Sequence, residues 1–429
     1  VNAMTSSQSE LDAYIRGQEK RLAERTPQLP FEPAEYARRM TELRSRMARQ
    51  GIDILILSSP DGMCWLHGYD ARWYRSHSST RFPPTQCTIV HLDHDRAYLI
   101  ETPEHEQLAH LTSHATTFRG VPGTGIGGEI TLEDFVSFLA EELAAHGRPN
   151  ATVGVERWSS VPNPAVQTAV EATLTSHGYR MVDGTAAVRA ARRLKSAAEI
   201  AVIERAQAAC DTGIRELRRR VRVGMTELEA WSVYMSAVIA AGGEPSAMHE
   251  TIAAGAPMPM LHGSSSRRPF RHGDHFHTDV AAAVHRYHAR ATRPFHFGEP
   301  PRELAALARI VAGAHDVLTA TARPGLPFRT LNRALREYYA DAGVTADGWA
   351  GGYELGVSFP PDWVGEFCWS STDRETDEVI ENGLVTNFES CAFVAMVDTV
   401  VFDDDGARLL SSLPRELLIV GDDGRGGTR

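Results

Sequence analysis

The sequence predicts two linked folds: an α/β N-terminal domain and an α+β C-terminal domain made of a duplicated helix–strand unit. Three observations carry this. The chain has 429 residues, too many for one ordinary core, so more than one domain is expected. Before residue 190, short apolar strand-like runs alternate with helical patterns, the arrangement of a sheet covered by helices. After it, two helical patterns accompanied by a strand-rich segment occur twice. The boundaries drawn on this basis are an N-terminal extension over 1–30, the α/β domain over 31–190 and the α+β domain over 191–429.

Each element has a local reason. A charged helix is expected over 11–25 and a second, after Pro30 and Pro33, over 34–50. Ile52-Asp53-Ile54-Leu55-Ile56-Leu57 reads as a buried strand ending at Ser58-Ser59-Pro60-Asp61-Gly62. Further strands are expected over 88–92, 96–101 and 152–155, with helices over 131–146 and 164–177. Lys195-Ser196-Ala197-Ala198-Glu199 opens the second region with a capping box, in which serine and glutamate each satisfy an orphan N–H group. Thr226 and Glu229 repeat the pattern after Gly224. Helices over 302–322 and 330–342 flank the Pro324-Gly325 turn. The strand-rich segments cover 275–297 and 385–401.

Composition narrows the function classes. Hydrophobic residues make up 42% and charged residues 23% of the chain, a globular balance. With 44 basic and 55 acidic residues the net charge is −11, unsuited to wrapping nucleic acid, which needs a basic stripe. The arginine clusters at 218–222 and 267–271 read as solvated faces. No apolar run reaches the roughly 18–20 residues of a membrane span, and the polar first thirty residues lack the apolar core of a secretory signal. A cytoplasmic protein with a small-molecule substrate, and with neither nucleic acid nor membrane as partner, is the expectation. The five cysteines, Cys64, Cys87, Cys210, Cys368 and Cys391, include no CxxC pair, so they read as reduced thiols rather than disulfides or a zinc knuckle.

The stretch richest in candidate chemistry runs from His272-Gly273-Asp274-His275-Phe276-His277-Thr278-Asp279 through His285 and His288 to Thr292-Arg293. Imidazole is the commonest metal ligand, but carboxylates are sparse here, and strand histidines held by hydrogen bonds are the plainer reading.

These residues, with Lys195-Ser196-x-x-Glu199, resemble the creatinase/aminopeptidase P/methionine aminopeptidase family, whose catalytic domain has the pita-bread fold. In the metallopeptidases of that family the matching strand carries two aspartates eleven residues apart. Asp279 fits the first, but Arg290 stands at the second. The family's Gly-His-x-x-Gly motif falls on Gly352-Tyr353-Glu354-Leu355-Gly356, with Tyr353 replacing the histidine. The first late glutamate matches Glu389 and the second falls near Asp398. A fixed guanidinium where a carboxylate should bridge two divalent ions disfavours a dinuclear centre, so no metal and no other cofactor is expected.

Two motifs point within the family to creatinase and ectoine hydrolase, its metal-free members. Trp65-Leu66-His67-Gly68-Tyr69-Asp70 is similar to a Trp-Leu-x-Gly-Tyr-Asp segment of ectoine hydrolases. Gly352-Tyr353-x-x-Gly356, followed by Phe359-Pro360-Pro361-Asp362-Trp363 and Gly365-Glu366, is similar to their Gly-Tyr-x-x-Gly…Tyr-Pro-Pro-Asp-Trp-Gly-Glu motif. His262 keeps the spacing to Gly273-Asp274 of creatinase's catalytic histidine. The chain also departs from both. Thr292 stands where creatinase has glutamate, Glu389 is absent from ectoine hydrolases, and Asp398 replaces their glutamate.

The resemblance implies a metal-independent hydrolase of a non-peptide C–N bond in a small amidine, guanidino or cyclic amide-like compound. Catalytic roles fall to His262, Glu389, Asp279 and Tyr353, with His262 as general acid/base. Substrate contacts fall to Trp65, Tyr69, Thr292, Arg290, Asp362, Trp363 and Glu366. A homodimer is implied as well, with Trp65, Tyr69 or the arginine-rich loop over 72–81 lining a shared site. The alternatives are a metal-dependent Xaa-Pro aminopeptidase or dipeptidase, a tailoring enzyme or lyase, and a non-catalytic binding protein reusing the same pocket.

Overall fold

A computed structural model describes residues 2–70, 80–114, 116–125, 127–248, 251–255, 263–344, 348–361 and 363–421, without the side chains of 2–7. The chain divides into two compact units, at Ala191 and Arg192.

The N-terminal unit contains α1 (Asn2–Ala23), α2 (Pro33–Arg49), β1 (Ile54–Leu57), α3 (Pro60–His67), β2 (Cys87–His91), β3 (Ala97–Glu101), α4 (Glu106–Thr112), β4 (Thr116–Gly120), α5 (Leu132–His146), β5 (Thr152–Val155), α6 (Pro164–Ser176), β6 (Arg180–Asp183) and α7 (Thr185–Arg192). Its sheet has the order β4-β3-β2-β1-β5-β6. It is mixed, because β1–β2 and β2–β3 are antiparallel while β3–β4, β1–β5 and β5–β6 run parallel. All four residues of β1 are buried, as a strand covered on both faces requires. The strand starts at Ile54, two residues later than expected, and the Asp53 carboxylate just before it accepts the Thr152 N–H at 2.8 Å. The first helix spans Asn2–Ala23, longer than the 11–25 expected.

The C-terminal unit contains α8 (Ala197–Arg220), α9 (Glu227–Ala240), β7 (Thr251–Ala254), β8 (His275–Val284), β9 (Tyr287–Thr292), β10 (Pro294–Phe297), α10 (Arg302–Thr321), α11 (Phe328–Asp341), β11 (Trp349–Tyr353), β12 (Cys368–Ser370), β13 (Val385–Cys391), β14 (Ala395–Asp403), β15 (Gly406–Leu409) and β16 (Leu418–Val420). One sheet runs β12-β11-β13-β14-β9-β8-β10-β16, with β15 on β14 and β7 on β8. The α8–α9 pair buries Cys210, Ile214, Leu217 and Tyr234 in one core with Phe276 and Val280 of β8. The α10–α11 pair buries Leu318, Leu331 and Leu335 with Phe388 and Val400 of β13 and β14. This is the duplicated helix–strand unit. Both expected capping boxes form, Ser196 with Glu199 and Thr226 with Glu229. Glu199 also accepts the Tyr287 hydroxyl at 2.9 Å, which ties the start of α8 to β9.

Helix α10 is, by length and composition alone, long and apolar enough to cross a membrane. Arg309 and Asp316 interrupt its apolar sequence, so it is not a continuous apolar run. One face of it is packed into the core of the unit, with Val311, Ala314 and Leu318 fully buried.

Candidate active site

Strand register assembles the site. Ala281 of β8 lies opposite Arg290, Thr292 opposite Val397, Val397 opposite Glu389, and Glu389 opposite Gly351 of β11. Directly opposed residues point to the same face, and side chains alternate along each strand. Asp279, Arg290, Thr292, Val397, Glu389, Asn387 and Tyr353 therefore share one face of the sheet, although they are spread over some 120 residues of sequence.

Arg290 is the centre of that face. It is 4% exposed, donates from Nη2 to Asp279 Oδ1, and reaches across β14 to donate from Nη1 to Glu389 Oε1 at 2.9 Å. Burial works against its charge, but the carboxylates of Asp279 and Glu389 outweigh this and hold its pKa above the ordinary value. The Tyr353 ring lies 5.4 Å from the guanidinium carbon, a cation–π contact. The Tyr353 hydroxyl accepts the Trp363 indole N–H at 2.8 Å. Asn387 donates to Glu389 Oε1 at 2.7 Å and accepts the Tyr353 backbone N–H at 2.7 Å. A side chain at Gly352 would collide with the Asn387 carbonyl, so the glycine preceding Tyr353 lets β11 and β13 close at this point. Among the described residues, Asp279 Oδ2 and Glu389 Oε2 accept no hydrogen bond, and Thr292 Oγ1 and Arg290 Nε are buried without a partner.

Asp398 does not join this group. It is opposite Phe388 and Ala291, so it points to the other face, where it is fully buried. Arg293 donates to it at 2.7 Å, His315 Nε2 lies 3.3 Å from it and Arg415 3.5 Å. The position facing Arg290 and Glu389 on β14 is Val397. Of the five family ligand positions, three rather than two are therefore replaced, by Arg290, Tyr353 and Val397. Two carboxylates already bound to a guanidinium, with an apolar side chain and a phenol, do not fit a pair of divalent ions.

The strand histidines separate clearly. His288 Nε2 accepts the Ala247 N–H at 2.8 Å and its Nδ1–H donates to the Arg286 carbonyl at 2.8 Å. Burial pushes its pKa down to about 3, so it is a neutral structural residue. His285 sits at the β8–β9 turn with φ 47° beside Arg286 at φ 65°, six residues and roughly 20 Å along the strand from Asp279. His275 Nδ1 donates to the Phe295 carbonyl at 3.1 Å. His277 is different. It lies two residues from Asp279 on the same face, buried, with Nδ1 unpartnered among the described residues, and burial lowers its pKa.

Several expected contacts lie elsewhere. Trp65 and Tyr69 are 2% and 1% exposed in the N-terminal unit. The Trp65 carbonyl accepts from Arg39 at 2.6 Å, and the Tyr69 hydroxyl donates to Glu101 at 2.6 Å. They are core residues of that unit, not an open ligand surface. Glu366 is exposed. His262, Asp362 and most of the 72–81 loop lie outside the described residues. Asn387 and Cys391, each two residues from Glu389 on the same face, were not expected at the site, while His277, expected to alternate with Asp279 on one strand face, lies beside it. Burial and the charges of Glu389 and Asp279 raise the Cys391 thiol pKa well above its ordinary value. The signal for all three was strand alternation around Asp279 and Glu389.

Residues 39–194 match the model of the creatinase/prolidase N-terminal domain, and residues 201–408 that of metallopeptidase family M24. The chain is 25% identical over 411 residues to the ectoine hydrolase of Halomonas elongata, covering 91% of this chain and 98% of that one. It is 24% identical over 238 residues to an Xaa-Pro dipeptidase of Pyrococcus furiosus, covering 53% and 65%. Among solved structures, an Xaa-Pro dipeptidase from Bacillus anthracis aligns over 90% of this chain and 99% of its own with TM-score 0.73 at 17% identity.

Proposed function

The chain belongs to the creatinase/aminopeptidase P family, with a creatinase-type N-terminal domain and an M24 pita-bread domain, and from that premise we propose that it is a metal-independent hydrolase of a C–N bond in a small amidine, guanidino or cyclic amide-like compound. The observation that carries this reading is the Arg290 guanidinium bonded to both Asp279 and Glu389. The protein supplies its own cation where the family's metallopeptidases place metal ligands.

Charge supports the substrate class. One guanidinium against two carboxylates leaves a formal excess of one negative charge on a largely buried face. Each carboxylate keeps an oxygen that accepts no hydrogen bond from the described residues. A planar cation with several N–H donors, an amidinium or guanidinium, matches those acceptors. The overall likeness to the ectoine hydrolase of Halomonas elongata, across nearly the whole of both chains, supports the same direction.

In the proposed reaction, water adds across the C–N bond: its oxygen attacks the carbon, and the nitrogen leaves carrying a proton. Asp279 and Glu389 orient the cationic substrate, and Tyr353, held by Trp363, borders it. His262 takes the proton from water and returns it to the leaving nitrogen. Gly263, which follows it, accepts from Thr251 Oγ1, and Thr251 lies directly opposite Asp279. The test is turnover of a panel including creatine, ectoine and related guanidino, amidine and cyclic amide compounds, beside Xaa-Pro dipeptides, with and without chelator. Chelator-resistant cleavage of a panel compound is expected. Metal-dependent cleavage of Xaa-Pro dipeptides alone would overturn the proposal.

A further inference from the structure

A second cluster with ligand chemistry lies in the N-terminal unit, at the tip of the β2–β3 hairpin. His91 ends β2, and Asp93 and His94 lie in the turn before β3. One ligand atom from each lies within 4.8 Å of the other two. We propose that His91, Asp93 and His94 form a mononuclear site for a borderline divalent transition ion such as zinc or cobalt.

His91 carries the argument. It is 1% exposed, yet neither ring nitrogen has a hydrogen-bond partner among the described residues. Leaving a buried imidazole unsatisfied on both sides costs free energy, and a metal–nitrogen bond would remove part of that cost. His94 supplies the second observation. Its Nε2–H donates to the His146 carbonyl at 3.2 Å, which leaves the Nδ1 lone pair for a metal. A backbone carbonyl fixing the tautomer in this way is the usual outer partner of a ligating histidine. The Asp93 carboxylate is exposed.

The surroundings hold the turn in shape. Arg44 donates to the carbonyls of His91 at 3.0 Å and His94 at 2.6 Å. Its charge lies 3.8 Å from Asp95, which offsets part of its repulsion toward a bound cation. The imidazoles of His91 and His94 stack with centroids 4.2 Å apart, so coordination requires the half-buried His94 ring to tilt. Two imidazoles and a carboxylate suit zinc, cobalt or nickel rather than magnesium or calcium. Three protein ligands leave a fourth position for water. The chain segments clipped together would be the hairpin, α2 through Arg44 and the end of α5 through His146.

The test is titration of tag-free, full-length protein with Co(II) alone, followed by its visible d–d absorption and by calorimetry. One equivalent should bind to the wild type and equally to Asp279→Asn/Glu389→Gln. His94→Gln and Asp93→Asn, both in the turn, should each lose at least about tenfold in affinity while circular dichroism stays unchanged. His91→Ala should abolish binding, and His94→Gln decides the matter if that variant fails to fold. Absence of binding by the wild type, or binding unaltered in His94→Gln and Asp93→Asn, would overturn the proposal. So would binding lost only in Asp279→Asn/Glu389→Gln.

Discussion

At the scale of single residues, the proposed chemistry turns on Arg290. Removing its charge leaves Asp279 and Glu389 facing each other on a buried surface with no cation between them. Arg290→Ala is expected to lose substrate turnover and to destabilise the fold by about 3–5 kcal/mol, the cost of breaking a buried ion pair from one side, measured as a fall in denaturation midpoint. Arg290→Lys should recover part of the stability but not the turnover, because an ammonium cannot serve both carboxylates in one plane. The proton carrier is tested in the same way. General acid–base catalysis is commonly worth about 100- to 10,000-fold, so His262→Ala should lose at least about 100-fold in turnover with the fold intact. The structure separates the other histidines that could take this role. His288 spends both nitrogens on the backbone and His285 lies at the far end of the strand, whereas His277 faces the site. Near-normal turnover in His262→Ala beside a collapse in His277→Ala would transfer the role to His277.

At the scale of elements, β14 shows where sequence reasoning ran out. The two capping boxes, the helix pairs and the strand-rich segments were legible because each rests on local spacing: Ser196 with Glu199, Thr226 with Glu229, apolar runs between turns. The inward residue of β14 was not legible, because sequence gives no register. Asp398 matched the expected acidic residue by type, but pairing with Ala291 and Phe388 turns it to the helix side. There it balances Arg293 beside His315. A one-residue offset reverses every side chain on a strand. The consequence is testable with adjacent residues. Asp398→Asn should lower stability by about 3–5 kcal/mol in a denaturant titration, since it leaves Arg293 buried and unpaired. Glu389→Gln should cost far less stability and remove turnover. The opposite pattern would return Asp398 to the site.

At the scale of the whole molecule, the protein keeps the two-domain frame of its family while changing what stands at the metal positions. The frame is also rich in buried histidines. Burial depresses the pKa of His67 and His288 to about 3, and of His275 and His315 to about 4, from a value near 6.5. The unfolded chain therefore binds protons that the folded chain refuses. The stability these groups contribute is complete above about pH 6.5 and is lost as pH falls through the folded pKa values. Each contributes at most about 1.4 kcal/mol per pH unit in that window. Thermal unfolding should therefore show a melting temperature that falls steadily from pH 7 to pH 4.5 and stays nearly flat from pH 7 to pH 8. A flat profile below pH 6.5 would mean that these histidines open to solvent. The central claim, that a guanidinium rather than a metal organises the active face, is tested most directly by anomalous diffraction from crystals grown in Mn(II). The account predicts no anomalous peak between Asp279 and Glu389, with Arg290 bridging both carboxylates. One or two manganese peaks coordinated by oxygens of both residues, with Arg290 displaced, would contradict it.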